Sequence, residues 1–215
     1  MLCSKSLSHQ FYYSNTNQIF IRVDPFKQFL QKLVPITDTE YAKTIGLFTK
    51  QQLGKGEFLV RQDQVCRHIA FIVKGSFRTY YLNDKGEETT SCFCTENGFT
   101  TSYKSFIFQE PSSLSIQAIE DSEILTIDYD KLHFLYNSST VWLHIGRIVS
   151  EQQYLSLEKY ASALNNETAK EKYLRLLKEQ PSVIHKATVE EIASYLGITR
   201  RTLSRIRQEI SQRHN

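Results

Sequence analysis

The spacing of apolar residues changes twice along this 215-residue chain. In "DPFKQFLQKLV" (24–34) they recur every three to four positions. That predicts an amphipathic helix, with Pro25 tolerated in its first turn and Pro35 just beyond its end. Thr37 and Glu40 have capping-box spacing, so a second helix opens there and ends near Gly46. From Leu53 to Asp128 the pattern shortens to "GEFLV", "HIAFIVKG", "SFRTYYL", "EETTSCFC", "LSIQAI" and "EILTID". These runs of branched and aromatic residues, punctuated by Gly, Asn and Asp, predict strands. "LNDKGEE" (82–88) predicts a hairpin turn between two of them. Many short strands without long crossover helices predict a sandwich, jelly roll or barrel.

Helical spacing returns after Asp128. "YDKLHFLY" predicts a short helix and "TVWLHIGRIVSEQQYLSLEKYASAL" (140–164) a long one, about 37 Å at 1.5 Å per residue. Two apolar stripes run along the long helix. Val141, Ile145, Ile148, Val149 and Leu155, with Gln152 among them, form one; Leu143, Tyr154, Leu157 and Leu164 form the other. Two faces imply two partners, the β domain and a second copy of the same helix. The first stripe, Gln152 included, is assigned to the dimer interface; the bland alternative is a helix sandwiched inside one monomer. "NNETAKEKYLRLLKEQP" follows as an amphipathic helix, capped by Asn165 or Asn166 and stopped by Pro181.

The last segment, "TVEEIASYLGITRRTLSRIRQEI", predicts two helices joined by a tight turn. Thr188 and Glu191 form a capping box, Gly197 supplies a positive φ, Ile198 plugs the turn, and Thr199 caps the next helix. Thr202, Leu203, Ile206 and Ile210 then fall on one side at about 100° per residue. Arg200, Arg201, Ser204, Arg205 and Gln208 fall on the other, with Arg207 at the margin and in reach of a phosphate. That is helix-turn-helix geometry, and those are the groups that read base edges and phosphates in a major groove.

Charge sharpens this reading. The chain holds 26 Lys+Arg and 23 Asp+Glu. From Thr199 to Asn215 five arginines face one acid, Glu209, a balance of +4; the other 198 residues carry 21 bases and 22 acids. All of the positive excess therefore lies in the last 17 residues, which suits a local anion-binding element. A solvated basic face is the alternative, but cap, Gly turn, buried Ile and polar face occur together. No segment is apolar enough to span a bilayer, and the N-terminus lacks a signal peptide's apolar core, so a cytoplasmic protein with no membrane partner is expected. Cys3, Cys66, Cys92 and Cys94 show no disulfide framework. Cys92 and Cys94 share one face of a strand and read as buried thiols; two thiols cannot complete a four-ligand metal site. The six histidines are scattered, and no nucleophile elbow, Walker loop or dinucleotide fingerprint occurs, so no metal, no cofactor and no enzyme activity are expected.

With these motifs in view, "TVEEIASYLGITRRTLSRIRQEI" resembles the helix-turn-helix of Crp/Fnr-type bacterial transcription regulators. "LGKGEFLVRQDQVCRHIAFIVKGSFRTYYLNDKGEE" is similar to that family's β-roll, and "IEDSEILTIDYDKL" to its end. The resemblance implies an α+β fold: an N-terminal antiparallel β-roll (a double-stranded jelly roll) with flanking helices, a long dimerisation helix, and a C-terminal helix-turn-helix. Its divisions would be an extension at 1–22, an effector roll at 23–137, the dimerisation helix at 138–164 and a DNA-binding domain at 165–215. It implies a homodimer that binds double-stranded DNA through Thr199, Arg200, Arg201, Thr202, Ser204, Arg205 and Gln208, with RNA polymerase as a further partner. The family often adds a β-hairpin wing after the recognition helix. Only five residues follow Ile210, so a winged-helix-like domain with its wing reduced or absent is expected.

The resemblance breaks at the phosphate-binding cassette. Cyclic-nucleotide binders carry a Glu for the ribose and an Arg beside Ser or Thr for the cyclic phosphate. Here "GFTTSYKSFIFQEPSSLSIQA" (98–118) places Thr101, Ser102 and Tyr103 where the Glu belongs, and Ser112 and Ser113 where the Arg belongs. A buried phosphate without its cation is costly, so cyclic AMP is not expected to bind in the family's way. These five residues are the candidate effector pocket, for an unidentified small molecule that is neutral and aromatic given Phe99, Tyr103, Phe106 and Phe108. The aromatics equally suit a roll with no ligand. A ligand-binding or protein-interaction module whose helix-turn-helix has lost DNA binding is the alternative function.

Overall fold

The structure is a computed structural model that describes residues 24–212. The predicted extension at 1–22, with Cys3, lies outside the described residues, as do the side chains of Leu164 and of Asn165, one of the two predicted caps.

The chain opens on α1 (Pro25–Leu33) and α2 (Asp38–Ile45). Asp24 caps α1 by accepting from the amides of Phe26 and Lys27 at 3.0 and 3.2 Å, and Pro25 occupies its first turn. The predicted capping box of α2 is present: Thr37 N donates to Glu40 and Glu40 N donates to Thr37.

Eight strands follow: β1 (Thr49–Leu53), β2 (Phe58–Val60), β3 (His68–Lys74), β4 (Ser76–Leu82), β5 (Glu88–Thr95), β6 (Phe99–Thr100), then α3 (Tyr103–Phe108), β7 (Ser115–Ala118) and β8 (Ser122–Asp128). They build two four-stranded antiparallel sheets, ordered β1-β8-β3-β6 and β2-β7-β4-β5. Ala70, Ile72, Phe77, Cys92, Cys94, Ile116 and Ile124 fill the space between them. Strand β1 lies upstream of where the apolar pattern begins. Its sequence, TKQQL, is polar because it is a sheet edge, paired on one side with β8 from Thr49↔Thr126 to Leu53↔Ser122.

Helices α4 (Tyr129–Ser138) and α5 (Thr140–Asn166) then pack with α1 over the first sheet. Phe26, Leu30, Phe71, Phe99, Phe106, Leu132, Trp142 and Ile145 form that core, and Trp142 Nε1 donates to buried Thr44 Oγ1 at 2.9 Å. Gly146 lets α4 approach α5 closely, since a Cβ there would come within 2.8 Å of the Tyr136 ring.

This packing corrects the assignment of the stripes on α5. Ile145 is spent inside the molecule's own core, and Val141, Ile148 and Val149 lie half-buried against it. Gln152 and Leu155 are exposed, as are Leu143, Tyr154 and Leu157. Periodicity identifies two stripes but carries no information on which one meets the roll.

The chain ends in α6 (Ala169–Glu179), α7 (Pro181–Lys186), α8 (Val189–Leu196) and α9 (Arg200–Ser211). Thr168 and Glu171 form the capping box of α6, three residues beyond the predicted start; α5 continues through Asn166. Tyr173, Leu176, Val183, Ile192, Leu196, Leu203 and Ile206 form a separate core, which also takes in Phe93 and Ile119 from the roll. Among the described residues past 165 there is no strand.

Candidate nucleic-acid interface and effector cavity

Local sequence builds the terminal pair of helices as predicted. Thr188 N donates to Glu191 at 2.8 Å and Glu191 N donates to Thr188 at 3.2 Å. Gly197 ends α8 at φ +69, with its amide donating to Ala193 and Ser194. Ile198 follows half-buried against the helical core, and Thr199 accepts from Thr202 N to start α9.

Helix α9 is divided along its length. Leu203 is 0% exposed and Ile206 5%, with Ile210 packed beside them. Arg200, Arg201, Ser204, Arg205 and Gln208 are all exposed, while Thr199 and Thr202 mark the start of the helix. Two arginines of the polar face have acidic neighbours on the surface: Arg200 lies 2.8 Å from Glu190, and Arg205 lies 4.0 Å from Glu209. Exposed pairs of this kind contribute about 0–1 kcal/mol, so a phosphate can displace the carboxylate. Arg207 is different. Its Nε donates to Tyr173 Oη at 3.1 Å, so it ties α9 to α6.

The second feature is a cavity of about 870 Å³ between the roll, α5 and α6. Of the five candidate pocket residues, Thr101, Ser102, Tyr103 and Ser113 line it. Ser112 does not; it lies behind Ser102, donating to Ser102 Oγ at 2.8 Å and accepting from Leu114 N. Thr101 Oγ1 donates to His68 O at 3.0 Å. These hydroxyls thus brace the cassette itself.

The remaining wall comes from residues that the sequence pattern did not single out for a site. Thr79, Thr90, Cys92, Cys94 and Thr100 face the cavity from the strands, and Tyr136, Gln153 and Tyr160 from the helices. Burial pushes the Tyr136 hydroxyl up to about 12, so it stays protonated. Hydrogen bonds from Cys92, Thr100 and Thr79 draw the Cys94 thiol below its ordinary value. Thr90 Oγ1 and Gln153 Oε1 are buried on this wall with no hydrogen-bond partner. The cations on the lining are Lys104 on exposed α3, and Lys159 and Arg175, which pair with Glu179 and Glu167. The guanidinium on the lining is thus already paired with a carboxylate, and Ser112 and Ser113 bring no charge to the cassette. Among those residues no three His, Cys, Asp or Glu cluster for a metal, and no helix is long and apolar enough to cross a membrane.

The molecule thus combines a two-sheet roll, a long helix, a cavity between them and a terminal pair of helices joined by a tight turn. Residues 50–139 match the family of the cyclic nucleotide-binding domain. Solved structures of similar fold include FixK2 from Bradyrhizobium japonicum, at TM-score 0.64 and 18% identity over 78% of this chain and 86% of that one. A protein from Eubacterium rectale described as a crp/fnr-family transcriptional regulator gives 0.65 and 19%, over 85% and 88%. The c-di-GMP responsive global regulator CLP from Xanthomonas campestris gives 0.62 and 15%, over 82% and 93%. No curated protein sequence matches the chain. The chain has the fold of Crp/Fnr-type regulators, and its residues 50–139 are similar to a cyclic nucleotide-binding domain.

Proposed function

We propose that this chain is a homodimeric, sequence-specific DNA-binding transcription regulator, non-enzymatic, whose roll senses a ligand other than cyclic AMP. The observation that carries it is the division of α9: an apolar face locked into its own core, and an exposed face of arginines, a hydroxyl and an amide. Thr199, Arg200, Arg201, Thr202, Ser204, Arg205 and Gln208 make the DNA contacts. Residues 23–137 act as the effector unit, 138–164 as the dimerisation helix and 165–215 as the DNA-binding unit. Two recognition helices then enter successive major grooves about 34 Å apart. RNA polymerase is a further partner once the dimer is on DNA.

The dimer face is the exposed stripe of α5. Leu143, Tyr154 and Leu157 fall within about 60° of one another at 100° per residue. Tyr154 and Leu157 also line the cavity, so a second protomer along this stripe walls its open side. The effector is uncharged, apolar in the main, and able to donate a hydrogen bond to Gln153 Oε1. This follows from a wall of Thr, Tyr and Cys whose open positions are Gln153 Oε1 and Thr90 Oγ1.

Selection of bound duplexes from a random library tests the function. A two-fold symmetric site is expected, and Arg201→Ala or Arg205→Ala is expected to weaken binding to it by about 1–3 kcal/mol. A protein-interaction module would enrich no duplex even at low salt, where phosphate contacts are strongest. That result overturns the regulator reading.

A further inference from the structure

Strand β5 serves two parts of the molecule at once. Thr90, Cys92 and Cys94 line the cavity, while Phe93 between them belongs to the core of the helical unit, 5.4 Å from the Tyr195 ring. Strand β5 is also a sheet edge, and α8 covers it. Ser194 Oγ accepts from Thr90 N at 2.9 Å and donates to Glu88 O at 3.1 Å, standing in for a missing neighbouring strand. Gln180 Nε2 donates to Phe93 O at 3.3 Å, and Lys186 pairs with Glu120.

The polar centre of this contact is Arg78 on β4, which is 5% exposed. Its Nη2 lies 2.7 Å from Glu88 and donates to Gln117 Oε1 at 3.0 Å, and its guanidinium carbon lies 4.2 Å from the centre of the Tyr80 ring. Its Nε–H makes no hydrogen bond; Glu191 Oε1 of α8 faces it at 3.4 Å, close enough for an ion pair. The other Glu191 oxygen accepts from Thr188 N. One carboxylate therefore closes the first turn of α8 and faces a buried cation of the roll. Glu88 and Gln117 stay with Arg78 when α8 leaves, but the Nε side of the guanidinium then loses its one facing carboxylate, so the pair favours the docked arrangement.

We propose that Arg78 is an interdomain clamp, a positioning residue that touches no DNA but fixes the helix-turn-helix on β5 through Glu191. Docking leaves the arginine face of α9 in solvent, so the docked state is the DNA-competent one. An undocked unit turns about the link at Glu167 and Thr168 and presents α9 correctly for only part of the time. Apparent affinity falls by that fraction. The DNA arm of this proposal rests on the regulator reading; the docking arm does not.

The test is the full chain with Glu191→Gln and Ser194→Ala together. Gln at the third helical position preserves the capping box, so the charge is lost and α8 is kept. Far-UV circular dichroism is expected to be unchanged. Calorimetry is expected to resolve two unfolding transitions where the wild type shows one. If docking falls to about a tenth, duplex affinity falls about tenfold. The slope of log K against log salt stays at the wild-type value, because no phosphate contact is lost, whereas Arg205→Ala at a phosphate lowers it by about one. A single transition with wild-type affinity overturns the clamp, and so does an affinity loss accompanied by a shallower slope. Unchanged affinity after the transition has split overturns the assignment of the docked state as DNA-competent. A wild type that selects no duplex sinks the regulator reading, and the calorimetric traces then decide the clamp by themselves.

Discussion

Leu203 and Arg205 sit two positions apart on α9 and face opposite media. One is fully buried and the other is 73% exposed at its side chain. The helical period alone puts them there, so this part of the site is legible in the sequence. The same holds for Gly197, whose φ of +69 is the left-handed conformation an L side chain resists. Space is not the obstacle there, since an added Cβ meets nothing within 4 Å. Gly197→Ala is therefore expected to cost about 1–2 kcal/mol of stability from backbone strain, read as a lowered Tm. Arg78 was not legible. Tyr80 lies on the same strand, but the polar partners that allow its burial stand at positions 88, 117 and 191, beyond that strand. The bond of Arg207 to Tyr173 was not legible either: its place at the margin of the polar face is a property of α9, but its partner stands on α6.

At the scale of elements, the strands that face a core were legible and those that do not were not. Strand β3 reads HIAFIVK and is found; β1 reads TKQQL, and only its pairing with β8 makes it a strand. Helix α5 shows the complementary failure, since its two apolar stripes look alike until the roll claims Trp142 and Ile145. What remains exposed along one side is Leu143, Tyr154 and Leu157, each more than half exposed. If that stripe joins two protomers, Leu157→Lys places two cations at the seam while leaving the roll's own core untouched. Sedimentation is expected to show a monomer of unchanged helix content. A dimer that survives Leu157→Lys paired with Tyr154→Lys would place the interface elsewhere.

At the scale of the whole molecule, the cavity and the terminal helices share one strand. The family match at 50–139 names a cyclic nucleotide-binding domain, yet Ser112 and Ser113 stand where the family pattern has its Arg, and the guanidinium on the wall, Arg175, is paired with Glu167. Cyclic AMP at about millimolar concentration is accordingly expected to leave the Tm unmoved. A micromolar binder at that concentration would add roughly 4 kcal/mol and raise the Tm measurably. The cassette's departure from the family pattern was legible residue by residue. The cavity was not, because Gln153, Tyr160 and Thr90 meet only when α5 lies across the roll.

Phe93 and Ile119 are roll residues by sequence but occupy the interior of the C-terminal helices. Cut away at the end of α5, those helices would carry an apolar dent sized for two absent side chains, flanked by a carboxylate facing no cation. A chimera joining this reading head to a foreign sensor would therefore have to transplant a stretch of β5 and the β7–β8 bend with it, or repaint that dent with polar residues.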